Sequence, residues 1–119
     1  MSNLEDEFFS LVERPLNTKP VLVNGKEYVL YELSEGDAAE MEVAMQDKKG
    51  KYEWSRHRRV LVSYCLRDKE GNRVISDPDR LKSVPNQIVS KLYEDCLALS
   101  SYNAKEIEDL VKKSDPAQG

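Results

Sequence analysis

The chain has 119 residues, 18 of them Lys or Arg and 22 Asp or Glu, for a formal net charge of −4; 39% are apolar and 34% charged. That length exceeds the roughly 70–80 residues below which disulfides or metals are normally needed, so one compact domain is expected with little room for a second. No apolar run approaches the ~18–20 residues of a membrane span. The start MSNLEDEFF is acidic where a secretory signal is basic and then apolar. Cys65 and Cys96 make neither a metal spacing nor a disulfide framework. A soluble, cytoplasmic globular protein is expected.

Residues 4–13 place Leu4, Phe8 and Leu11 on one helical stripe with Phe9 and Val12 beside it, and Arg14-Pro15 ends the pattern because the residue before proline is pushed out of the α region. Residues 1–14 therefore read as an N-terminal amphipathic helix and 15–20, with two prolines, as a linker. Asn24-Gly25 separates Val21-Leu22-Val23 from the alternating run Lys26–Tyr31. That is the preferred two-residue hairpin connection, since both turn residues tolerate positive φ.

Ser34 can N-cap a helix, with Asp37 three residues on, and Ala38, Met41 and Met45 recur at helical spacing up to Gly50. A second helix runs from about Trp54 to Leu66, with Trp54, His57 or Arg58, Leu61, Tyr64 and Cys65 on one side. Glu70-Gly71-Asn72 reads as a tight turn into a short extended Arg73-Val74-Ile75. Asp77-Pro78 then starts one helical turn, closed by Ser83-Val84-Pro85. Pro85 opens a core-facing helix with Ile88, Val89, Leu92, Tyr93, Cys96, Leu97 and Leu99 on its apolar face. Asn103 with Glu106 caps a last helix bearing Ile107, Leu110 and Val111. The tail 114–119 should fray. The expected fold is mainly α (α+β): four to five helices packed with one small antiparallel hairpin near 21–31, in a single domain over 15–113.

Charge is segregated along this order. Residues 32–47 hold six carboxylates and no cation, whereas 48–59 holds Lys48, Lys49, Lys51, Arg56, Arg58 and Arg59 against Glu53 alone. Adjacent blocks of opposite sign either fold back on each other or offer two faces to partners. Weak pairing on a solvated hairpin, about 0–1 kcal/mol per exposed pair, accounts for it equally.

Chemistry of the bond-making kind finds little support. The one histidine, His57, lies in the basic run SRHRR with no nucleophile near it in sequence, and reads as a surface or helix-flank residue whose pKa the flanking cations lower. Cys65 and Cys96 fall on apolar stripes and read as small core residues. The carboxylates fall on exposed helix faces, and no glycine-rich phosphate loop exists. No catalytic, cofactor-binding or metal-ligating residue is assigned. Tyr52 and Trp54 between the cations of 48–59 could serve a single-stranded nucleic acid, but a sequence pI near 5.1 argues against that footprint. What remains is an interaction protein.

The order of features from about residue 20 to 100 resembles the tail assembly chaperones of long-tailed bacteriophages, the group that includes the G-type proteins of lambdoid phages. The hairpin VLVNGKEYVLYEL and the Ser-capped helix SEGDAAEMEVAM carry it first, then VLVSYCL with the turn RDKEGNRVIS. It ends with DPDRLKSVPNQIVSKLYEDCLALS, where Leu81 stands four residues before Pro85 and the helix closes near Leu99-Ser100. The resemblance implies a small, non-enzymatic phage protein, made in the host bacterial cytoplasm and absent from the mature virion. Its implied partner is the tape measure protein, kept soluble while tail tube subunits assemble. It also implies a longer product, made by ribosomal frameshifting near Lys112-Lys113, whose added domain recruits the tail tube protein. No cofactor, small-molecule substrate or membrane is implied. The residues leave the oligomeric state open, a homo-oligomer included.

A holder of amphipathic clients needs exposed apolar surface rimmed by charge. The candidate protein-binding residues are Phe8, Phe9 and Leu11 on the acidic first helix, and Met41 and Met45 on the acidic second, methionine being adaptable to varied shapes. For Met41 and Met45 a place in the core competes with that role. A structural tail or head–tail completion protein is the rival reading, with nucleic-acid binding through 48–59 behind it.

Overall fold

The computed structural model describes residues 3–100. Strands β1 (Thr18–Val23) and β2 (Lys26–Tyr31) pair antiparallel from Thr18↔Tyr31 to Val23↔Lys26. The turn between them holds Asn24 at φ 51° and Gly25 at φ 82°, the left-handed pair that a two-residue hairpin requires. The expected linker is shorter than its prolines suggested, because Thr18, Lys19 and Pro20 belong to β1. Proline is tolerated there since β1 is an edge strand among the described residues.

α1 (Asn3–Val12) precedes the sheet and buries none of its residues. After β2, Ser34 accepts a hydrogen bond from the Asp37 backbone N–H at 3.1 Å and starts α2 (Glu35–Ala44) as its sequence predicts. The helix stops at Ala44, short of the expected Gly50. Asp47 then organises a tight loop, its Oδ1 accepting from the backbone N–H groups of Lys49 and Lys51 at 2.8 and 2.9 Å. Gly50 serves this loop at φ 82° instead of ending the helix.

A 3-10 turn (Trp54–Arg56) leads into α3 (His57–Cys65). This helix is not one-sided: Val60, Leu61, Val62, Ser63 and Cys65 are all buried, so it is the central strut of the fold. Each such aliphatic side chain contributes about 1.5–3 kcal/mol of burial. Leu66, expected at the end of that helix, instead begins a two-residue strand β3 (Leu66–Arg67) on β2, with Leu30↔Leu66 and Val29↔Arg67 paired. The hairpin is thereby a three-stranded antiparallel sheet in the order β1-β2-β3.

Gly71, at φ 88°, closes the turn that returns the chain to an Arg67↔Arg73 bridge. Asp77 caps the next segment through its Oδ1, which accepts from the Asp79 N–H at 3.0 Å. Pro78–Ser83 is a 3-10 helix. α4 (Asn86–Ser100) brings Leu92 and Cys96 into the core with α3 and the sheet and buries Val89, while Leu97 faces out. One carboxylate is buried on α4: Asp95 accepts from Lys19 of β1 at 2.9 Å and from Lys91 at 3.2 Å. Burial raises its pKa, but the two ammonium groups outweigh that and hold it below the usual carboxylate range. The helix expected from Asn103, with Ile107, Leu110 and Val111, and the tail 114–119 lie outside the described residues.

Candidate functional site

The first candidate surface is α1. Phe8 is 56% exposed, Phe9 43% and Leu11 83%, and Leu4 and Val12 share their side of the helix. The two phenyl rings meet edge to face at 5.5 Å, forming one aromatic knob. Glu5, Asp6 and Glu7 stand among them. The helix is tied to the domain just beyond its end, where both terminal nitrogens of Arg14 donate to the Glu32 carboxylate at 2.7 and 2.9 Å. The Asn17 N–H donates to the same carboxylate at 3.0 Å. The Arg14 guanidinium and the Asn17 amide together bring the Glu32 pKa down to about 2.

Met41 and Met45, named as binding candidates against a competing place in the core, take the core place. They are 7% and 2% exposed and belong to the hydrophobic core, because α2 turns that face onto α3. Their side chains nevertheless border a cavity of about 230 Å³, together with Leu33, Ala38 and Tyr52. The sequence thus finds both aromatic residues of the α1 surface, and for the methionines the competing core reading is the one observed.

Trp54 and His57 also line a second cavity, of about 390 Å³, and the pair of cavities about these two residues is the candidate groove. The second is lined by Arg58 and Arg59 of α3, Leu81 and Lys82 of the 3-10 helix, and Val89 and Tyr93 of α4. Between them runs a row of rings. Tyr52 meets Trp54 at 5.5 Å, Trp54 meets His57 at 5.7 Å, and His57 meets Tyr93 at 5.5 Å. His57 Nδ1 is 2.7 Å from the Tyr93 hydroxyl, and the Arg58 guanidinium lies over the Tyr93 ring at 5.6 Å. Trp54, which lines both cavities, is 68% exposed.

His57 does sit at the head of a helix, but it is half-buried, and burial is what lowers its pKa. The flanking cations that the sequence suggested are not the cause. The groove itself was missed by sequence reasoning. Its one visible signal was the placing of Tyr52 and Trp54 among the cations of 48–59; nothing local joins them to Lys82 or Tyr93.

The acidic and basic blocks do touch. The Arg56 guanidinium donates to the Ala44 carbonyl at 2.8 Å, closing the C-terminal end of α2, where a cation is favoured. Cys65 and Cys96 are both fully buried, not joined by a disulfide, between α3 and α4. Contact with Cys65, reinforced by burial, pushes the Cys96 thiol pKa far up, which makes it a poor nucleophile. Among the described residues, no group of three or more His, Cys, Asp or Glu could hold a metal ion, and no helix is long and apolar enough to cross a membrane.

No family model and no curated protein matches the chain. Among solved structures, the bacteriophage HK97 tail assembly chaperone is similar, with a TM-score of 0.53 at 19% sequence identity, over 79% of this chain and 97% of that one. Sheet, buried central helix and long final helix thus compose a tail assembly chaperone-like fold.

Proposed function

We propose that the protein is a non-enzymatic tail assembly chaperone, which binds a phage tape measure protein and keeps it soluble while the tail tube forms around it. The observation that carries this reading is the likeness of its fold to the HK97 tail assembly chaperone over nearly the whole of that chain. The uncovered face of α1 supports it: Leu4, Phe8, Phe9 and Leu11 offer an apolar surface ringed by carboxylates, which suits reversible shielding of an aggregation-prone client. The groove at Trp54 offers a second, structured place for it. In this reading the protein acts in the host cytoplasm and leaves before the virion is complete. A longer frameshifted product would bring the tail tube protein to the complex.

Co-expression with the tape measure protein of the same phage tests the role. The wild-type chain should move most of the tape measure protein into the soluble fraction, and Phe8→Ala with Phe9→Ala should return it to the pellet while leaving the chaperone folded. A tape measure protein equally insoluble with and without the chain would overturn the reading. So would finding the chain in purified virions, which would make it a structural tail or completion protein.

A further inference from the structure

The two cavities about Trp54 and His57, taken together as one groove, differ in character. One is mostly apolar, with Leu33, Ala38, Met41 and Met45 beside the single carboxylate of Glu42. The other presents Arg58, Arg59 and Lys82 and has no carboxylate among its lining residues, in a chain whose net charge is −4. Arg59 is already within 3.7 Å of Asp79, so Arg58 and Lys82, both exposed, are the cations facing solvent there. A cationic cleft on an acidic protein selects for an anionic partner by charge complementarity. An adjoining aliphatic recess asks the same partner for a bulky apolar side chain. Both demands are met by a helix with an apolar stripe and acidic flanks. Single-stranded nucleic acid meets the first and can stack a base on Trp54, but it has no aliphatic side chain for the recess of Leu33, Met41 and Met45.

We propose that this groove docks an amphipathic helical segment of the client, its large apolar side chains seated between Met41, Met45 and Trp54 and its acidic flank against Arg58 and Lys82. The proposal deepens the chaperone reading and rests on it in taking the partner to be a polypeptide. Trp54 is the chain's one tryptophan, so its emission reports occupancy directly.

The probe is a fluorescein-labelled synthetic helix of about 16 residues with a Leu/Phe stripe and glutamate flanks, titrated into the full-length protein. Saturable binding with a blue shift of Trp54 emission is expected, weakened at least about tenfold by Arg58→Glu with Lys82→Glu. Lys82→Glu alone should weaken it in the same direction, and a lysine-flanked version of the peptide should not bind. Equal binding of both peptides, or an unmoved Trp54 emission, would overturn the proposal. Tighter, charge-sensitive binding of an oligothymidine would also overturn it and make the groove a nucleic-acid site. A concentration-dependent oligomer of the protein alone, dissociated by the charge reversals, would mean that a second copy's acidic α1 fills the groove instead. In the tape measure co-expression, loss of rescue with Phe8→Ala and Phe9→Ala but not with the charge reversals sinks the groove and spares the chaperone. Peptide binding without any rescue does the opposite.

Discussion

Arg14 holds Glu32 with both terminal guanidinium nitrogens, at 2.7 and 2.9 Å, and through it fixes the point where α1 leaves the domain. Glu32 directly follows β2, and its own N–H donates to the Asn17 carbonyl at 2.8 Å while its carboxylate takes the Asn17 N–H. One acidic side chain therefore stitches the chain before β1 to the chain after β2. A two-point guanidinium–carboxylate pair has a defined direction that a single contact lacks. The apolar face of α1 is thus presented from a fixed base, although no residue of the helix is buried.

Removing that charge has a predictable result. Glu32→Gln keeps the shape but loses the ion pair and weakens the accepted amide bond, at a cost of about 1 kcal/mol given the exposure of Arg14. The melting temperature should fall by roughly 4–8 °C at neutral pH. Because the folded pKa lies near 2, below the ordinary 4.5, the stabilisation is complete above about pH 4.5 and disappears as pH falls towards 2. Wild type and variant should accordingly melt together near pH 2 and apart at pH 7. A constant gap across that range would show that the carboxylate's charge is not what fixes the junction.

The two thiols give a second, independent handle. Cys65 and Cys96 are closed off between α3 and α4, and the raised pKa of Cys96 keeps it protonated. A thiol reagent such as DTNB should react with neither in the native protein and with both in denaturant, at a native-state rate set by opening of the core. Cys96→Ser should destabilise by about 1–3 kcal/mol, because a hydroxyl is costlier to bury than a thiol. Prompt modification of either thiol under native conditions would mean that the α3–α4 contact opens locally.

What the sequence reveals follows how far apart the cooperating residues are. The Asn24-Gly25 turn, the Ser34 cap and the Asp77-Pro78 start each act within about four residues, and all form where the pattern puts them. β3 is two residues long and has no periodicity to read. It is a strand only because the edge of β2 is there to pair with Leu66. Lys19 and Pro20 look like linker until Leu30 and Val29 stand opposite them. The spacing of Trp54, Leu61, Tyr64 and Cys65 suggests one buried face, yet α3 is enclosed on several sides, which only the assembled fold determines. The exposure of Phe8 and Phe9 was legible because both lie on a short terminal helix, which buries none of its residues. The groove was not, because the 48–59 stretch with Tyr52 and His57, the 3-10 helix with Lys82 and α4 with Tyr93 are three separate stretches of chain.

His57 supplies the last prediction, in a pH window separate from that of Glu32. Burial makes the charged imidazole unfavourable, so its folded pKa lies below the ordinary 6.5, and the unfolded chain binds the proton more readily. Stability contributed by neutral His57 is present above about pH 6.5 and is lost as pH falls through the lowered value. Its ring centroid is 5.7 Å from that of Trp54, close enough for imidazolium to quench the indole. Trp54 emission should therefore drop on acidification with a midpoint below 6.5, and His57→Gln should abolish the step. The same variant should narrow its stability deficit relative to wild type between pH 7.5 and pH 5.5, since it has no proton to gain. A midpoint at or above 6.5 would place the ring in water, and the contact with Tyr93 would then not be what holds the aromatic row together.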